Sequence, residues 1–412
     1  MVKKVLSVAL VTMFTIPTVV HADVTISGLI QAEAGSVQSG RNELDEKNDR
    51  IRTTKDSSGA IRNGGVNKIA FGIDEKISSN LTAIAVYEAG YNIADNEGLL
   101  TGKESWLGLK GQNVWFKFGT ISSAYKALKN VIDPYSGVSL QLCGTAGGMS
   151  GVKFNAVQAA SDQKILGRDG KMHYQAGQTV SYQNQPHFSL AHNGFAKNIL
   201  ELGGTFGDFE VTFQGFFDET DDLEGGGSLS LVYANDQFTA YAAASYTDLK
   251  DLEGSLTNND EVIDNLRNLK VGAQYRGIPG LKLTLQFEDV EFGMLDGGTH
   301  GTMVADANGN LSAAGGNTNG GKYLVGSFEY AIPNSSISLA GWVGGYKSDI
   351  DDEDKLIDKN GNLIDEDAVS FALGAKYFFS KKTFAYGGYM QADSDNNYRD
   401  ENLFAVGLRH YW

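Results

Sequence analysis

The chain alternates strand-length segments of two-residue periodicity with connections of two sharply different lengths. In Phe209–Asp218 (FEVTFQGFFD), Phe209, Val211, Phe213 and Phe217 share one face, and Glu210, Thr212 and Gln214 the other. In Leu281–Glu288 (LKLTLQFE), four apolar residues alternate with Lys282, Thr284, Gln286 and Glu288. A period of two sends such sets to opposite faces of a sheet. Eight short links recur: Asp74–Asn80, Lys110–Asn113, Gln183–His187, Gly207-Asp208, Ala234–Gln237, Gly277–Gly280, Ile332–Ser336 and Ser380–Lys382. Between them run long polar segments: Ser36–Val66, Glu219–Gly226, Leu249–Arg267, Gly293–Gly321 and Lys347–Asp367. Short turns on one rim and long loops on the other predict an all-β, transmembrane antiparallel β-barrel. The turns and two terminal strands count to roughly 18 strands.

Beyond the first residues there is no run of about 18 apolar residues, and hence no membrane-spanning helix. A barrel needs none, because closure pairs every backbone group and only the outward residues must be apolar. Fifty-one glycines, 10% aromatics and five prolines suit a chain of many strands. Pro186, Pro279 and Pro333 fall in short links and Pro134 in a long one, so none removes a ladder hydrogen bond. Aromatics gather near strand ends, at Tyr87, Tyr91, Tyr233, Tyr275, Phe328, Tyr330, Tyr377–Phe379 and Tyr411-Trp412. Amphipathic rings favour the boundary between hydrocarbon and water.

Residues 1–22 read as a secretory signal peptide: Lys3 and Lys4, an apolar stretch Val5–Ile16, and Val20-His21-Ala22 before a cut at Asp23. Residues 23–412 then form one barrel domain. Removing the leader takes away two lysines and no acid, moving the net charge from −16 to −18. That balance argues against a nucleic-acid partner. Enzymatic signals are lacking: His173, His187, His192, His300 and His410 are scattered, and no Gly-x-Ser-x-Gly elbow occurs. No metal site, cofactor or catalytic residue is expected. Asp306–Asn310 (DANGN) and Asp358–Asn362 (DKNGN) place glycine fourth, not sixth as a calcium loop requires, and read as Asn-Gly turns. The acidic segments Asp218–Glu224, Asp248–Asp264 and Asp349–Asp367 are expected on the loop rim. The lone thiol, Cys143, excludes an internal disulfide.

One connection stands apart. Thr120–Ser150 follows the strand-like Val114–Gly119, opens with Ala124, Ala127, Leu128 and Val131 at helical spacing, and breaks at Asp133-Pro134. A segment so long is uncommon in a compact β fold unless functional. It is expected to fold into the lumen.

The chain end Asn402–Trp412 (NLFAVGLRHYW) resembles the last strand of the Gram-negative general porins, with Val406, Gly407, Leu408, Arg409 and His410 matching and Trp412 in place of a terminal phenylalanine. The start DVTISGLIQA (Asp23–Ala32), KIAFG (Lys68–Gly72), SWLGLKG (Ser105–Gly111), Lys117–Thr120 and Asp133–Tyr135 resemble family segments in order. The resemblance implies 16 strands with an inward third loop. It also implies a homotrimer in the lipid of the outer membrane, passing ions and small hydrophilic solutes by diffusion, while the acidic loops are expected to attract cations or to bridge to lipopolysaccharide through divalent ions. It places a pore constriction between Lys126, Lys129 and Asp133 of the loop and Gln31, Lys68, Lys117, Thr120 and Arg409 of the wall. Gln31 and Thr120 stand where the family is basic, which with the acidic loops predicts weak cation selectivity. On the last strand, Phe404, Val406, Leu408, His410 and Trp412 share a face and are expected to form a lipid-facing assembly signal. The alternative function is an adhesin or receptor barrel binding a partner through its acidic loops.

Overall fold

The computed structural model describes residues 22–44, 51–62, 67–93, 100–142, 163–166, 172–175, 195–216, 225–248, 265–293, 303–305, 311–313, 321–348, 356–357, 363–364, 367–394 and 401–412. The expected leader up to His21, Cys143, the link Gln183–His187, both Asn-Gly turns and most of the acidic segments lie outside the described residues.

The ring strands in chain order are β1 (Ala22–Leu44), β2 (Asn67–Ser78), β3 (Leu81–Tyr91), β4 (Thr101–Lys110), β5 (Val114–Ser122) and β6 (Phe195–Phe206). They continue as β7 (Phe209–Phe216), β8 (Gly225–Ala234), β9 (Phe238–Asp248), β10 (Asn265–Ile278) and β11 (Leu281–Gly293). The last five are β12 (Gly321–Ala331), β13 (Ile337–Ser348), β14 (Ala368–Phe378), β15 (Thr383–Ser394) and β16 (Glu401–Tyr411). Each pairs antiparallel with the next, and β16 returns to β1 from Leu29↔Tyr411 to Ser39↔Glu401. The sheet is therefore closed. It contains 17 strands, one of which, Ile51–Arg62, extends the first hairpin against the distal half of β1, leaving 16 in the ring.

The higher strand count fails at one place. β5 is laddered directly to β6, from Val114↔Gly204 to Ser122↔Phe195, so the ring has no room there for another pair of strands.

Alternation sorts the side chains. Along β16, Leu403, Ala405 and Arg409 point inward and are buried, while Phe404, Val406 and Leu408 are about half exposed. Val24, Phe71, Leu107, Phe118, Leu202 and Leu285 continue this apolar coat around the barrel. Such a continuous apolar band suits hydrocarbon rather than water. Next to the short turns, the ring pairs Phe209–Tyr233, Phe238–Tyr275 and Tyr377–Phe379, each 5.0 Å between centroids, form part of a girdle. Left-handed backbone in those turns falls at Gly207 (φ 62) and Gly280 (φ 78), and at Asn334 (φ 56), the residue types that tolerate it.

Candidate pore constriction

From the end of β5 the chain turns into the barrel. The Ser123 side chain accepts from the Lys126 N–H at 3.0 Å and caps α1 (Ala124–Ala127). A second turn, α2 (Lys129–Ile132), stops at Asp133, whose backbone is extended before proline. The apolar side of the segment, Tyr125, Leu128, Ile132, Tyr135, Leu140 and Leu142, is buried against Tyr241, Tyr323, Trp342, Tyr346, Tyr386 and Met390 of the inner wall. The segment thus builds a packed core inside the lumen.

Polar tethers fix the segment in place. Its Ala124 N–H donates to Gln214 Oε1 at 2.8 Å, and Tyr125 Oη–H to Glu288 Oε1 at 2.6 Å. Gln274 Nε2 donates to the Val131 carbonyl at 2.6 Å, Tyr135 Oη to the Ala340 carbonyl at 3.0 Å, and Trp342 Nε1 to the Leu140 carbonyl at 2.9 Å. At the tip, Gln31 Nε2 donates to the Gly137 carbonyl at 2.6 Å and Arg409 Nη1 to the Ser136 carbonyl at 3.0 Å. The Glu33 carboxylate accepts from the Ser139 N–H at 3.0 Å, from the Ser139 hydroxyl, and from Tyr386 Oη at 2.7 Å. These anchors run from β7 round to β1. The opposite side of the segment faces β2–β6.

On that side charges meet. Lys103 on β4 lies within electrostatic reach of Lys68, Glu88 and Lys129, and Lys126 within reach of Lys129, Glu104, Lys103 and Glu88. Lys68 pairs with Glu88 at 2.6 Å, and Lys117 with Glu201 at 2.7 Å. Lys126 is buried, with Nζ 3.5 Å from the Phe195 ring centroid. That burial first, and Lys129 second, push its ammonium down to about 7.

The predicted constriction residues divide. Lys68, Lys126 and Lys129 come together around the passage through Glu88 and Lys103, whereas Lys117 pairs with Glu201 nearer the short-turn rim, over Trp106 and Trp115. Gln31 and Arg409 hold the loop tip, and Arg409 Nε also donates to Gln31 Oε1 at 2.6 Å. Asp133 is buried and turned back on its own segment, accepting from the Tyr135 and Leu142 N–H groups at 2.9 and 3.0 Å. Thr120 lies in β5, opposite Ser105, in register with the outward Leu107 and Phe118. Its assignment to the lumen is corrected: one residue along a strand changes the face. Sequence reasoning missed Glu88, Lys103, Glu104 and Glu201. Their signal was a charge in mid-strand, with Tyr87 and Leu202 marking the outer face beside Glu88 and Glu201.

A closed antiparallel barrel with an apolar coat, a charged passage and a loop folded into it defines an outer-membrane channel protein. A sequence profile of Gram-negative porins matches residues 7–397, and the chain belongs to that family. It is thus an outer-membrane porin, a channel for passive diffusion of solutes. Among solved structures it is similar to an anion-selective porin from Comamonas acidovorans, with a TM-score of 0.64 and 16% identity over 95% of this chain and 100% of that one. OmpT of Vibrio cholerae in its trimer form gives 0.56 and 14%, over 95% and 100%. OmpF of Salmonella typhi in complex with daunomycin gives 0.56 and 15%, over 94% and 97%. No curated protein sequence matches.

Proposed function

We propose that the passage between the infolded segment and the β2–β6 wall is the selectivity site of a homotrimeric porin, and that it favours small anions weakly. The carrying observation is its charge: Lys68, Lys103, Lys126 and Lys129 stand against Glu88 and Glu104. Charged groups lining a narrow pore set its ion preference. The sequence-based case for cations rested on Gln31 and Thr120, which are here a tether and an outward residue. It also rested on rim loops, whose charge fades over roughly a Debye length of about 8 Å at physiological salt. The anion-selective character named for the Comamonas porin agrees with this reading. Reversal potentials in a KCl gradient test it. Expected is a modest anion preference that falls in Lys103→Glu and in Lys129→Glu. Cation preference in the unaltered channel would overturn the reading.

Trimer formation is supported by the trimer form of the Vibrio cholerae relative and by the apolar outer face, with lipopolysaccharide as the neighbouring lipid. Mild-detergent electrophoresis should give one large species that boiling converts to monomer. We further read Met1–Ala22 as a cleaved leader, which amino-terminal sequencing of the exported protein would test through a start at Asp23. The absence of an enzymatic role is inferred from membership in a family of channels. A silent bilayer would instead favour the adhesin reading.

A further inference from the structure

Toward the short-turn rim, which is periplasmic in barrels of this kind, the lumen wall is indented by a cavity of about 710 Å³, within the usual size of small-molecule sites. Its floor is flat and aromatic. The Trp115 indole lies across the backbone of Gly203, where a Cβ would fall 2.1 Å from the ring. Its Nε1–H is fixed to Glu201 Oε1 at 2.8 Å, and the Trp106 Nε1–H to Glu104 Oε2 at 3.1 Å. The Lys117 ammonium, neutralised by Glu201, lies 4.7 and 5.7 Å from the Trp106 and Trp115 ring centroids. Both indoles remain half-buried rather than covered. Ile84 and Val86 extend the apolar floor, and Gly72 leaves a dent in which an added Cβ would meet nothing nearer than 3.9 Å.

The rim of the cavity is polar without a dominant sign. Asp74, Lys110, Gln112, Asn113 and Glu210 surround it. An inorganic ion would use these charges but gain nothing from two pinned indoles. An aromatic anion would use the rings but meet Asp74 and Glu210. A neutral sugar uses both: its C–H face covers an indole, and its hydroxyls find donors and acceptors around the edge. We propose that this indentation is a sugar-binding subsite below the constriction, with Trp106 and Trp115 as its platform. The proposal rests on the channel reading only in that the site lines the conducting lumen. Binding that helps a solute along a pore must also be weak enough to release it.

The test titrates the purified protein with glucose and sucrose in two readouts: periplasmic-side addition in a planar bilayer, and tryptophan fluorescence in detergent. Expected are current interruptions and a fluorescence shift with half-saturation of about 1–100 mM, the affinity of a few contacts. Trp106→Ala with Trp115→Ala should weaken the current effect at least about tenfold, roughly 1.4 kcal/mol, whereas Trp115→Phe keeps most of it. Gly72→Leu, which fills the dent and leaves both indoles in the sequence, should remove the effect in both readouts. No response to either sugar, an unaltered response in Gly72→Leu, or a response to benzoate alone would overturn the proposal. A protein that conducts without sensing sugar leaves the porin reading intact. Fluorescence decides the subsite even if conduction fails.

Discussion

The phenol of Tyr125 donates to the Glu288 carboxylate at 2.6 Å, a contact spanning 163 residues of chain and shut off from solvent. The Lys270 ammonium lies 3.9 Å from the same oxygen and 3.8 Å from the Tyr125 ring. Burial, and next the Glu288 charge, hold the phenol well above its ordinary pKa, so it stays a donor at any working pH. This triad latches the start of the infolded segment to the far wall.

Removing the donor with Tyr125→Phe should lower stability by about 1–3 kcal/mol, the cost of losing a buried hydrogen bond to a charge. Glu288→Ala should cost more, about 3–5 kcal/mol, because it also strands the buried Lys270. Thermal unfolding in detergent ranks the two, and single-channel recordings should show added current noise in both. A reversed ranking would contradict the latch.

Detaching the tip should widen the channel. Arg409→Ala and Gln31→Ala each free a carbonyl of Ser136 or Gly137. Conductance and the size limit in polymer-exclusion experiments should rise, more so in the double variant. Unchanged conductance in both would show that packing alone holds the tip.

Asp133→Asn separates two roles for one carboxylate. Because Asp133 braces its own segment, the substitution should lower stability and leave ion selectivity nearly constant. A clear selectivity change with normal stability would return Asp133 to the pore lining.

Selectivity should depend on pH through Lys126. With its pKa lowered to about 7, the ammonium is charged below that pH and neutral above it. Anion preference should therefore be stronger at pH 6 than at pH 8. Lys126→Met should abolish the difference. Reversal potentials that do not change between these pH values count against the assignment.

Assembly should depend on the pairing of the two ends. The Trp412 ring lies over Gly28, where a Cβ would fall 2.1 Å from it, and the Trp412 N–H donates to the Gly28 carbonyl at 3.3 Å. Deleting Trp412, or substituting Gly28→Val, should cut the assembled fraction severalfold while export continues. Normal heat-modifiable trimer from both variants would refute this role.

The amino-acid order alone determined the barrel. Period-two alternation, short links against long loops, and the Val406–His410 match needed no contact information, because strand faces and turn chemistry are local properties. The helical spacing at Ala124–Val131 likewise showed as α1 and α2. What only the tertiary structure decided was register and partnership. Whether β5 meets β6 directly, and so whether the ring has 16 or 18 strands, depends on a pairing between residues about 80 positions apart. Asp133 is polar in sequence but occupied by its own backbone, and Gln31 and Arg409 are spent on the carbonyls of Gly137 and Ser136. Charged residues look alike along a chain. Only the closed ring and the segment packed within it settle which of them face water in the passage and which are consumed as tethers.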